Sequence, residues 1–415
     1  MSEWKKVKLA ELYEVHNGLS KGRQFFGSGY PFLTFSDVFN NWFLPETLDS
    51  LVQSSDKERE ACSIKKGDVF ITRTSETMDE LGMSSVALKD YPNATYNGFT
   101  KRLRPITDEV VPEYIGYYLR SKKFRAKFMA FSSMTTRASL ANDDLLGMEV
   151  EIPDKTIQIR IATILSRYDT LIENYQKQIK LLEEAAQRLY KEWFVELRFP
   201  GHENTKMVDG LPEGWERKKI SEICDTIGGG TPSTKIASYY EGGTINWVTP
   251  TDITKNNSLC LLSTEKKITT EGLNHSSAKM LPAETILMTS RASVGYFGIC
   301  DFEVCTNQGF ISCVPFDWDC QMYLLYNLMN RVEEIRIKAG GSTYLEISKS
   351  VFRNFDIIIP KKFLLAQFQQ EAHRILERVR NTTNQIRLLT EARDRLLPRL
   401  MEGEMNVILK NYPAV

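Results

Sequence analysis

Gln178-Ile179-Lys180-Leu181-Leu182 returns later in the chain as Gln385-Ile386-Arg387-Leu388-Leu389, with one basic residue exchanged for another. An Ile-Pro step stands upstream of each pentapeptide, at Ile152-Pro153 and again at Ile359-Pro360. Both pairs of matches are separated by the same 207 residues. Two distinct matches at one spacing indicate an internal repeat, and this repeat decides the fold.

The repeat extends upstream of the Ile-Pro steps. The segment Trp4–Leu12 is similar to Trp215–Ile223, and both begin with tryptophan followed by basic residues. The further matched segments are Pro31–Val38 with Asn246–Ile253, Gly67–Thr74 with Ala283–Arg291, and Tyr96–Phe99 with Thr306–Phe310. The two halves of the chain are therefore two versions of one unit.

Downstream of each Ile-Pro step the apolar residues recur with the period of a helix. A proline before an unbroken run of about forty residues is typical of a helix start, and Asp154 can cap the first helix. Gly201 and Gly403 lie just past the two predicted helix ends. The residues predicted to form the apolar stripes are Ile161, Leu165, Tyr168, Ile172, Tyr175, Ile179, Leu182 and Leu189 of the first helix, and Ile375, Val379, Ile386, Leu389 and Leu396 of the second.

The segments before the helices carry short apolar runs such as Val69–Thr72 and Thr285–Thr289, separated by residues that favour turns. They predict two similar mixed α/β domains. The second helix needs a partner for its apolar stripe, and pairing with the first gives a long antiparallel two-helix coiled coil. The predicted boundaries are 1–152 and 201–358 for the domains, 153–200 and 359–405 for the helices, and 406–415 for a C-terminal tail.

The composition favours a folded protein without membrane spans. Of the 415 residues, 42% are hydrophobic, which is enough to bury real cores, yet no apolar run is long enough to span a bilayer. The first residues lack the apolar stretch of a secretory signal, so we expect a cytoplasmic protein. The 53 basic residues are balanced by 53 acidic ones, which disfavours tight DNA binding by phosphate attraction alone.

The seven cysteines raise the question of a zinc site, since four of them lie between residues 300 and 320. None forms a Cys-x-x-Cys pair, and the histidines at 16, 202, 275 and 373 are scattered. Free cysteines in buried strands are the favoured interpretation, and we predict no metal.

Two variable globular units that alternate with two similar long helices, each entered through Ile-Pro, closely resemble the specificity subunit of type I restriction-modification systems. The resemblance covers essentially the whole chain. Its most specific marks are Trp215, Gly228–Ser233, Asn246–Val248, Asp252, Thr306–Gly309 and Gly340–Tyr344. The first unit departs from this pattern at Gly18–Gly22, at Tyr96–Gly98, which lacks the glutamine, and at Thr135–Arg137.

The resemblance implies that each unit is a target recognition domain that reads one half of a split, asymmetric site in double-stranded DNA. It implies a coiled coil that sets the unread gap, and two adenine-N6 methyltransferase subunits and two motor-nuclease subunits as partners. S-adenosylmethionine, ATP and magnesium are then expected in those partners, and no cofactor in this chain. The chain would be a non-catalytic specificity subunit.

The candidates for DNA contact are polar residues of loops at matched positions in both units, because base edges are read by side-chain donors and acceptors. In the first unit they are Lys21, Arg23, Thr34, Ser36, Asp37, Arg73, Thr74, Ser75, Asn97, Lys101, Thr136 and Arg137. In the second they are Thr231, Ser233, Lys235, Thr249, Thr251, Asp252, Ser290, Arg291, Asn307, Gln308, Ser342, Thr343 and Tyr344.

Structural roles compete with DNA contact for some of these residues. Asp37, Asp252, Asn97 and Asn307 are of the types that bond to their own backbone in turns, which we favour for them. For Arg73 and Arg291, which follow apolar strands, we favour contact with DNA.

Two other surfaces also have alternative interpretations. Trp193 and Phe194 belong either to the coil core or to a docking surface for a partner subunit. The arginines of the second helix form either a solvated face or a contact with spacer phosphates or an acidic partner.

Two motifs suggest catalysis, but other features of the sequence argue against a catalytic role for each. Phe25–Gly29 fits the Phe-x-Gly-x-Gly pattern of S-adenosylmethionine sites, yet the chain has no Pro-Pro pair for the accompanying loop. We interpret the segment as a loop leading into a strand, like Tyr239–Gly243 in the second unit. Asp252 with Glu265–Lys267 resembles a nuclease site, but the first unit has no counterpart. The alternative to DNA reading is a tandem adaptor that binds proteins through its domains and coil.

Overall fold

The computed structural model describes residues 4–75, 81–131, 138, 139, 141–341 and 345–403. The chain forms two compact units, one made of residues 1–170 and 389–415 and the other of residues 171–388. Both units combine helices with small sheets, so the predicted mixed α/β class is confirmed.

The first unit is rich in short strands. They are β1 Lys5–Lys8, β2 Tyr13–Asn17, β3 Phe26–Leu33, β4 Leu51–Val52, β5 Val69–Thr72, β6 Thr74–Ser75, β7 Ser84–Val86, β8 Thr95–Tyr96, β9 Thr100–Pro105, β10 Ala138–Ser139 and β11 Glu149–Ile152. Its helices are α1 Leu9–Leu12, α2 Phe35–Asn40, α3 Asp56–Ala61, α4 Pro112–Arg120, α5 Lys122–Phe131 and α6 Asn142–Gly147. The long helix α7, Lys155–Tyr190, follows and continues as a π-helical turn over Lys191–Val195.

The second unit repeats this composition. Its strands are β12 Met207–Val208, β13 Leu211–Pro212, β14 Glu216–Lys219, β15 Cys224–Gly228, β16 Ile245–Val248, β17 Lys266–Ile268, β18 Ile286–Thr289, β19 Phe297–Gly298, β20 Cys305–Thr306, β21 Phe310–Pro315 and β22 Asp356–Ile359. Its shorter helices are α8 Pro250–Thr254, α9 Thr270–Asn274, α10 Gln321–Asn330, α11 Val332–Lys338 and α12 Lys349–Arg353, and the chain then enters the long helix α13, Lys362–Met401.

The two units share one sheet topology. The four-stranded sheet has the order β2-β9-β5-β7 in the first unit and β15-β21-β18-β19 in the second, antiparallel throughout. The three-stranded sheet has the order β4-β3-β8 in the first unit and β17-β16-β20 in the second, and in both the last pair of strands is parallel. The internal repeat of the sequence is therefore a repeat of the fold.

The segments that begin and end each repeat pair with each other. β1 is antiparallel to β11, with Lys5 opposite Ile152, and β14 is antiparallel to β22, with Glu216 opposite Ile359. The matched Trp-Lys and Ile-Pro segments thus form the base from which each long helix leaves. The predicted cap of the first helix is present, since the Asp154 carboxylate accepts the N–H of Ile157 at 3.0 Å.

Each unit has its own hydrophobic core, and both long helices contribute to both cores. In the first unit, Ile161 and Leu165 of α7 and Leu400 of α13 pack with the tyrosines of α4. In the second unit, Ile179 of α7 and Phe368 of α13 belong to one cluster. Among the residues the structure describes, no helix is long and apolar enough to cross a membrane.

Candidate nucleic-acid interface

The same Thr-Asp capping pair starts a short helix in each unit. In the first, the Asp37 carboxylate accepts the backbone N–H of Thr34 at 2.8 Å and its hydroxyl at 2.7 Å. In the second, Asp252 accepts the corresponding groups of Thr249 at 2.8 and 2.6 Å. Its other oxygen accepts the N–H of Glu265 at 2.8 Å. Both aspartates therefore hold the local fold, and the contact with Glu265 is part of that fold rather than of a nuclease site.

Matched asparagines close a turn beside each capping pair. The Asn97 side-chain oxygen accepts the N–H of Phe99 at 2.9 Å, and that of Asn307 accepts the N–H of Gly309 at the same distance. The backbone N–H of each asparagine bonds to the residue just before the capping threonine, Leu33 at 3.1 Å and Val248 at 3.0 Å. The turn and the capping pair are thus fastened together in both units.

A glycine-containing loop lies against each asparagine turn. A Cβ added to Gly229 would lie 2.0 Å from the Asn307 carbonyl oxygen, and one added to Gly18 would lie 2.1 Å from that of Asn97. Only glycine permits this approach. The hydroxyl of Thr231, two residues past Gly229, donates to the Gln308 side chain. Three segments that are distant in sequence therefore meet at one place in each unit.

The residue after each buried central strand joins this cluster. The backbone N–H of Arg73 bonds to the Phe99 carbonyl at 2.9 Å, and that of Ser290 bonds to the Gly309 carbonyl at 2.8 Å. The counterpart of Arg73 is therefore Ser290, and the predicted match of Arg73 with Arg291 is off by one residue. The offset of 217 residues between Val69–Thr72 and Ile286–Thr289 already holds at Gly67 and Glu284, which both have positive φ, whereas sequence similarity matched Gly67 with Ala283.

Six of the ten polar candidates that the structure describes in the second unit are exposed. Arg291 is about half exposed and holds only a loose ion pair, with its Nε 3.5 Å from the Glu346 carboxylate. Thr249 is partly buried because it caps α8. The remaining exposed candidates of this unit are Thr231, Ser233, Lys235, Thr251 and Gln308.

The first unit presents fewer of its candidates. Arg23 and Ser36 are exposed, whereas Arg73 is half-buried, with Nη1 3.4 Å from the Asn17 side-chain oxygen. The Lys21 ammonium is 2.9 Å from Glu58 and also bonds to the Gln53 carbonyl. The hydrogen bond from Lys21, with those from Ser55, lowers the pKa of Glu58 to about 2. Lys21 is thus held by an internal ion pair.

Three predicted contact residues are buried rather than exposed in loops. Asn97 lies in the turn described above, Lys101 lies within β9, and Ser290 directly follows β18. The Lys101 ammonium bonds to Asn142, and burial, with a smaller contribution from Arg73, lowers its pKa. The loop placement predicted for Lys101 is wrong because β9 begins at Thr100, so the side chain belongs to the sheet.

Several predicted residues cannot be placed further. Thr74 and Ser75 form β6, which pairs with β10, with Ser75 opposite Ala138. The remaining ones lie outside the described residues, namely Thr136, Arg137, Ser342, Thr343 and Tyr344.

One of two further sequence interpretations is corrected. Phe26–Gly29 is not a loop before a strand but part of β3, where the register shifts between Phe26 and Tyr30 and both glycines have positive φ. Of the two interpretations given for Trp193 and Phe194, the core placement agrees with the structure, since both residues are buried against Phe368 in the core of the second unit. The loop assignment of Phe26–Gly29 was wrong because Gly27 and Gly29 are typical of turns. Here their positive φ values accommodate a bulge within β3.

The predicted coil residues face the interior to different degrees. The buried ones are Ile161, Leu165, Ile172, Ile179 and Val379. The partly buried ones are Tyr168, Tyr175, Leu182, Leu189, Ile375, Ile386, Leu389 and Leu396. Two of the helix arginines are held internally, Arg380 by Glu284 at 2.5 Å and Arg393 by Asp169 at 2.6 Å.

The seven cysteines are free and buried, in line with their assignment to the interior. Glu284, His373 and Glu377 bring ligand atoms within 4.8 Å of one another. The guanidinium of Arg380 pairs with both of these carboxylates. The Arg380 guanidinium therefore supplies the positive charge that balances the two carboxylates. The absence of a metal stays a prediction.

Sequence reasoning missed one aromatic residue at the first unit's cluster. Phe99 follows the Asn97-Gly98 turn, and its side chain is 64% exposed. The exposed ring of Phe99 therefore joins the candidates for contact with DNA at this cluster. The signal in the sequence was the Asn-Gly pair itself, which predicts a tight turn and hence a following side chain at the surface.

Comparisons with known proteins agree on one family. The family model described as "Type I restriction modification DNA specificity domain" matches residues 1–184 and 212–392. The chain is 26% identical over 472 residues to the type I restriction enzyme HindI specificity subunit of Haemophilus influenzae, covering 98% of this chain and all of the relative. It is also 26% identical over 431 residues to the MjaIX specificity subunit of Methanocaldococcus jannaschii, covering 98% and 94%.

A solved structure shares the fold. The crystal structure of the type I restriction-modification S subunit from M. genitalium aligns with a TM-score of 0.57 at 13% identity, covering 96% of each chain. At that identity the likeness concerns the fold alone.

Proposed function

This chain belongs to the type I restriction-modification DNA specificity family, and on that premise we propose that each of its two units reads one half of a bipartite DNA site. The observation that carries the proposal is the cluster built twice from a glycine loop, a capped helix start and an asparagine turn. Base edges are read by donors and acceptors that a rigid frame holds in place. The capping and turn bonds supply that frame, and Thr231, Gln308 and Arg291 are the side chains that it presents.

The two clusters carry different side chains on the same frame, which supports an asymmetric site. Gln308 follows the asparagine in the second unit, whereas Gly98 follows it in the first. Arg73 and Ser290 occupy the same position, which holds a half-buried arginine in one unit and a buried serine in the other. We assign the two units different target sequences for this reason.

We further propose that α7 and α13 pair as an antiparallel coiled coil that sets the gap between the half-sites. In the second unit the Tyr175 hydroxyl donates to the Gln385 side chain at 3.1 Å. In the first unit Asp169 pairs with Arg393 at 2.6 Å. Residue numbers rise on one helix as they fall on the other, which supports antiparallel pairing. At about 1.5 Å per residue, the length of the pair defines the gap by geometry.

We propose that the chain does no chemistry of its own and docks two methyltransferase subunits and two motor-nuclease subunits. Those partners would hold S-adenosylmethionine, ATP and magnesium. The balanced charge of the chain supports this division. A protein without net charge gains little affinity from DNA phosphates, so the partner subunits would supply contacts with the DNA backbone.

A gel-shift assay tests the proposal. The chain is mixed with its methyltransferase partner and challenged with a pool of random duplexes, and bound DNA is sequenced. We expect selection of a bipartite motif in the presence of the partner and little binding without it. A complex that binds all duplexes equally would reject sequence reading and favour the adaptor alternative.

A further inference from the structure

Trp42 in the first unit and Leu259 in the second occupy the same position in the repeated fold. The N–H of Val86 bonds to the Trp42 carbonyl at 3.1 Å, and the N–H of Ile299 bonds to the Leu259 carbonyl at 2.9 Å. Two residues further along the chain, the N–H of Leu44 donates to the Val86 carbonyl and the N–H of Leu261 donates to the Ile299 carbonyl, both at 2.9 Å. One position of the frame therefore carries an indole in one unit and an isobutyl group in the other.

The helix that packs beneath this position is also repeated. Tyr114–Arg120 of α4 and Tyr323–Met329 of α10 share the pattern Tyr-x-x-Tyr-x-Leu. Tyr117 therefore corresponds to Tyr326, and Arg120 corresponds to Met329. These matched residues allow the surroundings of Trp42 and Leu259 to be compared directly.

The neighbouring pair of positions shows a compensated exchange of volume. Phe43 in the first unit packs over Gly116, where an added Cβ would lie 2.5 Å from the phenyl ring. In the second unit the corresponding residues are Cys260 and Leu325, so the small and the large residue are exchanged, and both are buried in one cluster. The total volume is kept, as close packing requires.

The exchange of Trp42 for Leu259 is not compensated. In the first unit the indole lies 5.6 Å from the Tyr117 ring, with Arg120 and Arg393 stacked at 5.8 and 5.1 Å. In the second unit Tyr326, Met329 and Leu259 instead line an open groove of about 270 Å³. A second depression of about 200 Å³ shares Tyr326 and Met329 with this groove and extends it along α7.

We propose that this groove binds an aromatic side chain, preferably tryptophan, from an exposed segment of a partner protein, and that each chain takes one. The first unit supplies such a side chain from its own loop, whereas the second unit has Leu259 at that position and an open groove beside it. The thioether of Met329 and the rings of Tyr326 and Tyr296 favour an aromatic ring over an aliphatic group. The Glu183 carboxylate also lines the groove and can accept an indole N–H.

We assign the aromatic side chain to a polypeptide because the groove extends along α7. The depression lined by Gln187, Tyr190 and Lys191 continues past the aromatic slot and offers room for the residues that flank it. None of the residues that line the groove or its extension is among the candidates for DNA contact. The inference therefore goes beyond sequence reading and adds a protein contact made once per chain.

A fluorinated N-acetyltryptophanamide probe, followed by fluorine NMR, tests this site in the full chain. We expect saturable line broadening with one site per chain, and much weaker broadening with N-acetylphenylalaninamide labelled in the same way. Leu259→Trp, which copies the first unit, should weaken binding by about tenfold or more. Lys255→Trp adds an indole at an exposed position nearby and should leave binding unchanged.

A second measurement does not depend on how well Leu259→Trp folds. In the native chain labelled at its methionine methyl groups, the Met329 signal, assigned with Met329→Leu, should shift as the probe binds. Binding that leaves Met329 unmoved would overturn the proposal. The same conclusion would follow from the absence of saturable binding, or from equal binding by folded Leu259→Trp and the native chain.

Discussion

The guanidinium of Arg393 donates a hydrogen bond to the carboxylate of Asp169 at 2.6 Å, which joins α13 to α7 within the first unit. Both side chains are largely buried, at 13% and 20% exposure. The Tyr117 hydroxyl donates to the same carboxylate, and the guanidinium stacks on Trp42. Because the pair is enclosed, removal of either partner leaves a charge that water solvates poorly.

Arg393→Ala should therefore lower the free energy of unfolding by about 2 kcal/mol, less than for a fully buried pair. Urea denaturation measures this, and Arg395→Ala, an exposed neighbour, is the matched control with little expected change. The double variant with Asp169→Asn should lose less than the sum of the single variants. Equal stability of the Arg393 and Arg395 variants would contradict the assignment.

Asp252→Ala should destabilise the second unit by about 1–2 kcal/mol, because it removes the acceptor for the N–H and the hydroxyl of Thr249 at the start of α8 and for the N–H of Glu265. Its effect on DNA affinity, measured for the folded fraction, should be small. Thr251→Ala, which changes the exposed neighbour, is the stability control. A loss of DNA affinity without any loss of stability would show that Asp252 contacts DNA.

Arg291→Ala should weaken sequence-specific binding by the chain with its methyltransferase partner by about 1–3 kcal/mol, the range for an arginine that reads a base edge. Filter binding to the cognate duplex and to a duplex changed in one half-site measures the loss. Arg374→Ala removes the same charge from an exposed position on α13 and should change affinity much less. Equal losses of affinity for Arg291→Ala and Arg374→Ala would show that only the overall charge matters, and would contradict a base contact by Arg291.

Stability should depend on the ionisation of Glu183. Burial raises the pKa of this carboxyl above its ordinary value of 4.5. Because the native pKa lies above the unfolded one, the contribution to stability is largest below pH 4.5 and falls as the pH rises through the native pKa. Glu183→Gln keeps an acceptor for the Leu259 N–H, now at 2.7 Å, but cannot ionise.

The free energy of unfolding of Glu183→Gln at pH near 8 should therefore exceed that of the native chain, with a flatter dependence on pH. Denaturant titrations at several pH values test this, and Glu184→Gln, the exposed neighbour, is the control. A native chain that gains stability as pH rises from 4.5 relative to Glu183→Gln would reverse the expected sign.

The features that could be predicted from the sequence were those fixed by periodicity. The repeat predicted that both halves share one fold, and the apolar stripes predicted α7 and α13, including the cap at Asp154. The structural roles favoured for Asp37, Asp252, Asn97 and Asn307 agree with the hydrogen bonds they make, because short polar side chains bond to their own backbone in a predictable way.

The features that depend on three-dimensional neighbours could not be predicted. The sequence suggests that Lys101 is a loop residue, because it follows an Asn-Gly turn. Its burial depends on the position of β9 within the sheet, which the sequence does not show. The match of Arg73 with Ser290 rests on equivalent backbone hydrogen bonds, which similarity between segments does not reveal. The groove beside Leu259 is defined by what fills the same place in the other unit, so it has no local sequence signal.

Mapping N6-methyladenine across the genome of cells that carry this gene with its methyltransferase partner tests the central claim most directly. The account predicts a motif of two specific parts separated by a gap of fixed length, with one methylated adenine in each part. Methylation at a single continuous motif, or a methylation pattern that is unchanged when this chain is deleted, would contradict it.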